Sequence, residues 1–77
     1  MQRDEYITAA DLRDAAARTG GMVGLTFIDG GITAWVQEED TFYDVEFADE
    51  SPWRALQGAV ELYELYLHYR AKPGAEG

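Results

Sequence analysis

The chain has no cysteine, only two prolines, a single histidine and just six basic residues in a length of 77. Without cysteine there is no disulfide, thiolate metal site or cysteine nucleophile, a usage that suits a reducing cytoplasm. The six Lys and Arg face fifteen Asp and Glu, leaving a formal net charge of −9, and they are scattered rather than clustered. Replacing the counterions around phosphate needs clustered cations, so direct nucleic-acid binding is disfavoured, and anionic membranes are disfavoured for the same reason. Apolar stretches are short and interrupted. The start MQRDEYITA lacks the basic region and apolar run of a signal peptide, so neither a leader nor a membrane span is expected.

A hydrophobic content of 47% argues against disorder despite the charge. The length allows one domain, 1–77, which buries only about 60% of the surface its unfolded chain exposes. Its total stability is roughly 4–12 kcal/mol, which leaves little for strained catalytic geometry. Residues 1–6 and 73–77 read as flexible ends.

Thr8-Ala9-Ala10-Asp11 places a side-chain acceptor at an N-cap and a carboxylate three residues on, a capping box with Asp in place of Glu or Gln. Ile7 and Leu12 are spaced as a hydrophobic staple, and Leu12, Ala15, Ala16 and Thr19 share one helical face. Gly20-Gly21 ends this helix, with Arg18 in its last turn. From Met22 the period becomes two, with Val23, Leu25 and Phe27 on one side and Met22, Gly24, Thr26 and Ile28 on the other. Asp29-Gly30-Gly31 predicts a tight hairpin into a second strand, Ile32 to Gln37, with Ile32, Ala34 and Val36 inward. A turn at Glu38-Glu39-Asp40 leads to a third strand, Thr41 to Phe47, where Tyr43, Val45 and Phe47 alternate with Phe42, Asp44 and Glu46. Ser51-Pro52 then begins a long helix with Trp53, Leu56, Val60, Tyr63 and Leu67 in register, widened by Ala59, Leu62, Tyr66 and Tyr69. Its polar edge is Arg54, Gln57, Glu61, Glu64 and His68, and Lys72-Pro73-Gly74 stops it. The fold class is therefore α+β, a single small domain of order α-β-β-β-α in which a three-stranded antiparallel meander is packed by two helices.

Enzyme chemistry finds few handles. His68 lies on the polar edge one turn from Glu64, a spacing that reads first as a surface helix pair. There is no Gly-x-Ser-x-Gly elbow, His-Glu-x-x-His helix or Gly-x-x-x-x-Gly-Lys loop, and Gly20, Gly21 and Gly24 are explained by helix termination and strand entry. Asp44 and Glu46 share a strand face, but a thin domain offers poor means of burying one carboxyl to raise its pKa. The Asp-x-Asp-x-Asp-Gly calcium loop with its distal Glu is absent. No catalytic residue, cofactor or metal is assigned.

The two sheet faces differ in composition. One is coherent core; the other carries Thr26, Ile28, Thr33, Trp35, Gln37, Phe42, Asp44 and Glu46, large aromatics among carboxylates and hydroxyls. If both helices pack on the core side, Trp35 stands at the centre of an acidic sheet face, the composition of a protein-binding patch. If one helix covers each face, Trp35 is buried. From Glu38 to Glu50, seven carboxylates (Glu38, Glu39, Asp40, Asp44, Glu46, Asp49 and Glu50) occupy thirteen residues without one Lys or Arg. Such a run reads as a solvated loop, or as a surface that steers a basic partner. Tyr63, Tyr66 and Tyr69 read as core and flank, or as a dimer or partner surface.

In size, charge and layout the chain resembles small phage-encoded anti-CRISPR proteins, several of which bind type I surveillance complexes. Its landmarks are the hairpin Asp29-Gly30-Gly31, the acidic strand Thr41-Phe42-Tyr43-Asp44-Val45-Glu46-Phe47 and the helix from Ser51-Pro52-Trp53. The resemblance implies a non-enzymatic, stoichiometric inhibitor of type I systems, subtype I-C first among them, that occupies the basic DNA-binding path and excludes target DNA in the host cytoplasm. The expected partner surface is Glu38, Glu39, Asp40, Asp44, Glu46, Asp49 and Glu50, with Trp35 and Phe42 as anchors. The alternatives are an acidic antitoxin that masks a toxin's basic site, and a homodimer built on Trp53–Tyr69; monomer and homodimer both stay open.

Overall fold

A computed structural model describes residues 6–40 and 43–70. The order is α1 (Ala9–Thr19), β1 (Met22–Ile28), β2 (Gly31–Gln37), β3 (Asp44–Asp49) and α2 (Pro52–Arg70), the α-β-β-β-α arrangement expected. The three strands form one antiparallel sheet in the order β1-β2-β3, with β2 central.

The ends of α1 follow from its sequence. The Asp11 N–H donates to Thr8 Oγ1 at 3.2 Å and the Thr8 N–H donates to Asp11 Oδ2 at 2.8 Å, so the capping box closes with the shorter Asp. Gly20 takes the left-handed conformation (φ 78°) and its N–H donates to the Ala16 carbonyl at 2.7 Å. Ile7 and Leu12 both pack against the core. Ser51 caps α2: its Oγ accepts the Arg54 N–H at 3.2 Å, with Pro52 at the first helical position.

Several boundaries differ from the sequence reading. Gly31 is the first residue of β2, opposite Ile28, because Asp29-Gly30 alone makes the turn, with Gly30 at φ 86°. The third strand runs Asp44–Asp49 rather than ending at Phe47, because β2 continues beside it as far as Ile32, which pairs with Asp49. Thr41, Phe42, the stop at Lys72-Pro73-Gly74, and the flexible ends apart from Tyr6 lie outside the described residues. Phe27 was expected in the core and is 72% exposed, because it sits at the hairpin end of β1, past the cover the helices give.

Both helices lie on one face of the sheet. Ala34 and Val36 of β2 are buried with Ala15 of α1 and with Ala55, Leu56, Ala59, Val60 and Tyr63 of α2. Ala34, Ala55 and Ala59 are fully buried, and their small side chains let α2 lie close to the sheet. Leu56 fills the centre, where removing it to alanine typically costs about 2–5 kcal/mol. Arg18 and Glu64 clamp the two helices, with Nε to Oε2 at 2.7 Å and Nη2 to Oε1 at 2.9 Å. Glu64 therefore reaches across to α1 rather than pairing with His68, because the guanidinium fork offers two donors at once. His68 instead meets Tyr69 edge-on, ring centroids 5.5 Å apart.

Candidate functional site

Because α1 and α2 share a face, no described element covers the other. The register places its side chains in rows: Met22, Gln37 and Asp44; then Gly24, Trp35 and Glu46; then Thr26, Thr33 and Ala48. Trp35 is thus at the centre of the open face, directly opposite Glu46 on one side and Gly24 on the other. It is half-buried rather than fully exposed. A Cβ added to Gly24 would fall 2.3 Å from Trp35 Cζ2, so the indole lies flat across the glycine. The missing side chain makes a seat that holds a large aromatic at a defined position on a face that mixes Met22 and Ile28 with Thr26, Thr33, Asp44 and Glu46.

The carboxylates expected to line this surface divide by position. Asp44 and Glu46 are exposed on the open face beside Trp35; Glu39 and Asp40 are exposed in the turn before β3, and Glu50 just after it. Glu38 and Asp49 are instead engaged within the chain. Glu38, with only 15% of its side chain exposed, takes an ion pair from Arg70 and a hydrogen bond from the Tyr66 hydroxyl at 3.4 Å. That locks the end of α2 to the β2–β3 turn, and Tyr43 stacks on Tyr66 with centroids 4.1 Å apart. Asp49 accepts the Ser51 N–H at 3.0 Å and binds Arg54 at 3.1 Å. These contacts, the backbone bond above all, hold its carboxyl below the ordinary aspartate range. Phe42 lies outside the described residues.

A second surface follows the outer edge of β3. Tyr43, Val45, Leu62, Leu65, Tyr66 and Tyr69, with Arg70 tied to Glu38 at one end, line an open groove of about 510 Å³ between that strand and the C-terminal half of α2. Leu65 is 50% exposed, and Leu62 and Tyr69 are exposed beside it. At the other end of β3, Phe47 lies on Gly58 of α2, where an added Cβ would come within 2.3 Å of the ring. Neither Gly24 nor Gly58 is among the residues expected to seat an aromatic, and Leu65 is not among those expected on the helix's apolar side. The signal for Gly24 was present: a two-residue turn at Asp29-Gly30 fixes Gly24 opposite Trp35 by counting alone. Gly58 had no such signal, because its partner comes from a strand whose register against the helix is tertiary.

Among the described residues, no group of three or more His, Asp or Glu is placed to hold a metal ion, and no helix is long and apolar enough to cross a membrane. The chain matches no known protein family, no curated protein and no solved structure.

Proposed function

We propose that the chain is a non-enzymatic protein-binding inhibitor that docks its acidic sheet face on a basic, nucleic-acid-handling partner. One observation carries this reading: both helices pack on the same side, so Trp35 stands on the uncovered face between its glycine seat and Glu46. An aromatic held in a fixed pose with exposed carboxylates, Asp44 and Glu46, along its β3 side has the composition of an interface core with a charged rim on that side. Asp44 and Glu46 pair with the partner, while Glu39, Asp40 and Glu50 steer it from the two ends of β3. Glu38 and Asp49 contribute indirectly, by fixing the turn and the start of α2.

The resemblance to small anti-CRISPR proteins makes a type I surveillance complex the first partner to test, with blocked target-DNA binding as the mode of inhibition. Incubating such a complex with the purified chain at moderate salt, then titrating target DNA, distinguishes the outcomes. A defined stoichiometry with loss of DNA binding is expected, and charge reversal at Asp44 and Glu46 should weaken association and flatten its salt dependence. Retained DNA binding, or charge-reversed variants that bind as before, overturns the reading. An antitoxin-like masking of another basic protein uses the same surface. The exposed Leu62, Leu65 and Tyr69 favour a second reading, self-association through α2, for which sedimentation showing a concentration-independent monomer is the refutation.

A further inference from the structure

We infer that the outer edge of β3 accepts an extended segment of the partner as a fourth strand, and that this segment alternates basic and apolar residues. The inference rests on the acidic docking proposed above and adds how the partner is held. Three observations lead to it. First, the Glu38 N–H donates to the Tyr43 carbonyl at 2.7 Å, so these opposed residues are a hydrogen-bonded pair. Alternation along the uninterrupted register then turns the amides and carbonyls of Asp44, Glu46 and Ala48 away from β2, towards the outer edge. Among the described residues no strand lies beside them.

Second, the two sides of that edge are chemically opposite. An added strand would place every second side chain on the open face next to Asp44 and Glu46, where Lys or Arg fits. The side chains between them would fall on the helix side, over Val45 and Phe47 and into the groove made by Leu62, Leu65 and Tyr69. The alternation holds for a parallel or an antiparallel addition, because side chains change face at every residue either way. Third, the same carboxylates argue against a second copy of this chain on that edge, since pairing β3 with β3 would set Asp44 and Glu46 against their own kind. The edge is closed to itself and open to a cationic strand.

The test uses the full chain and an acetylated nine-residue peptide alternating Lys and Val, with a shuffled peptide of the same composition and a version N-methylated at alternate residues as controls. Hydrogen exchange followed by NMR should show the Asp44, Glu46 and Ala48 amides slowed at least tenfold by the alternating peptide. The shuffled and N-methylated peptides should bind at least tenfold more weakly, as should the alternating peptide to the exposed-site variant Leu65→Glu and to the Asp44→Lys, Glu46→Lys double variant. No slowing at these three amides, or equal binding of the shuffled peptide, overturns strand addition. Neither result touches the salt-dependent association with a surveillance complex, so failure here and failure of the docking reading are told apart.

Discussion

Replacing Gly24 by alanine tests whether the opposite strand fixes the pose of Trp35. The new Cβ would lie 2.3 Å from Cζ2, 2.7 Å from Cε2 and 2.9 Å from Cη2 of the indole. Trp35 belongs to the central strand, paired on both sides, so the ring lifts before the backbone moves. Lifting returns roughly 60 Å² of apolar surface to water, worth about 1.5 kcal/mol at about 25 cal/mol per Å². Alanine recovers about 0.5 kcal/mol by restricting the unfolded chain. The net loss of about 1 kcal/mol lowers Tm by about 4–8 °C in a domain of this size. A Trp53→Phe background leaves Trp35 as the sole indole, and its emission can then be followed through thermal denaturation. The native-state spectrum should shift to the red, acrylamide should quench it more readily, and the midpoint should fall. An unchanged spectrum or a higher midpoint refutes the seat. The same variant should weaken binding to a basic partner while leaving the charge of the face intact, which separates aromatic anchoring from electrostatics.

Gly58→Ala should be nearly neutral or destabilising in the native sequence, because it displaces Phe47, yet stabilising by about 1 kcal/mol in a Phe47→Ala background, where only helix propensity remains; urea denaturation of the four proteins of the cycle decides it. The lowered pKa of Asp49 makes its contribution present above the ordinary aspartate value of 3.8 and lost as pH falls through the lower folded value. Asp49→Asn should therefore flatten the acid limb of stability measured by circular dichroism. Tyr63, 2% exposed, is pushed above the ordinary 10.0 by burial first and by the nearby Glu38 charge second. Its contribution is full below pH 10.0 and lost as pH rises through the folded value, so Tyr63→Phe should reduce alkaline unfolding followed at the tyrosinate absorbance.

Local signals made much of this fold legible. Thr8 with Asp11, Gly20, Asp29-Gly30 and Ser51-Pro52 each satisfy backbone groups within a few residues, so their sequence positions set the element ends. What the chain does not carry locally is how far a strand runs once its neighbour supports it, which is why β3 extends to Asp49 beside Ile32. The side on which the helices pack also stayed open, since the alternation of β2 allows either face to be covered. That one choice decides whether Trp35 is core or surface. The acidic run from Glu38 to Glu50 likewise reads as uniform in sequence, yet Arg70 and Arg54, brought in from α2, draw Glu38 and Asp49 into the framework. Arg70, 32 residues from Glu38, leaves no mark in spacing, and Arg54, though five residues from Asp49, meets it only because α2 turns back at the end of β3.

The opposite edge of the sheet has a different consequence. β1 reads MVGLTFI, with no charge, proline or bulge along its length, and Met22, Phe27 and Ile28 are exposed. Nothing in the strand repels another strand, and such edges ordinarily template association. What opposes such association is colloidal, the formal net charge of −9 carried by each copy. Its reach is short at physiological ionic strength, where charges are screened beyond about 8 Å, while β3 lies two strand spacings, roughly 10 Å, from β1. The restraint vanishes near pH 4.2, about where the charges of the sequence balance. A variant stripped of the β3 carboxylates also loses part of the net charge that opposes association through β1, so it has to be shown monodisperse before its loss of affinity means anything.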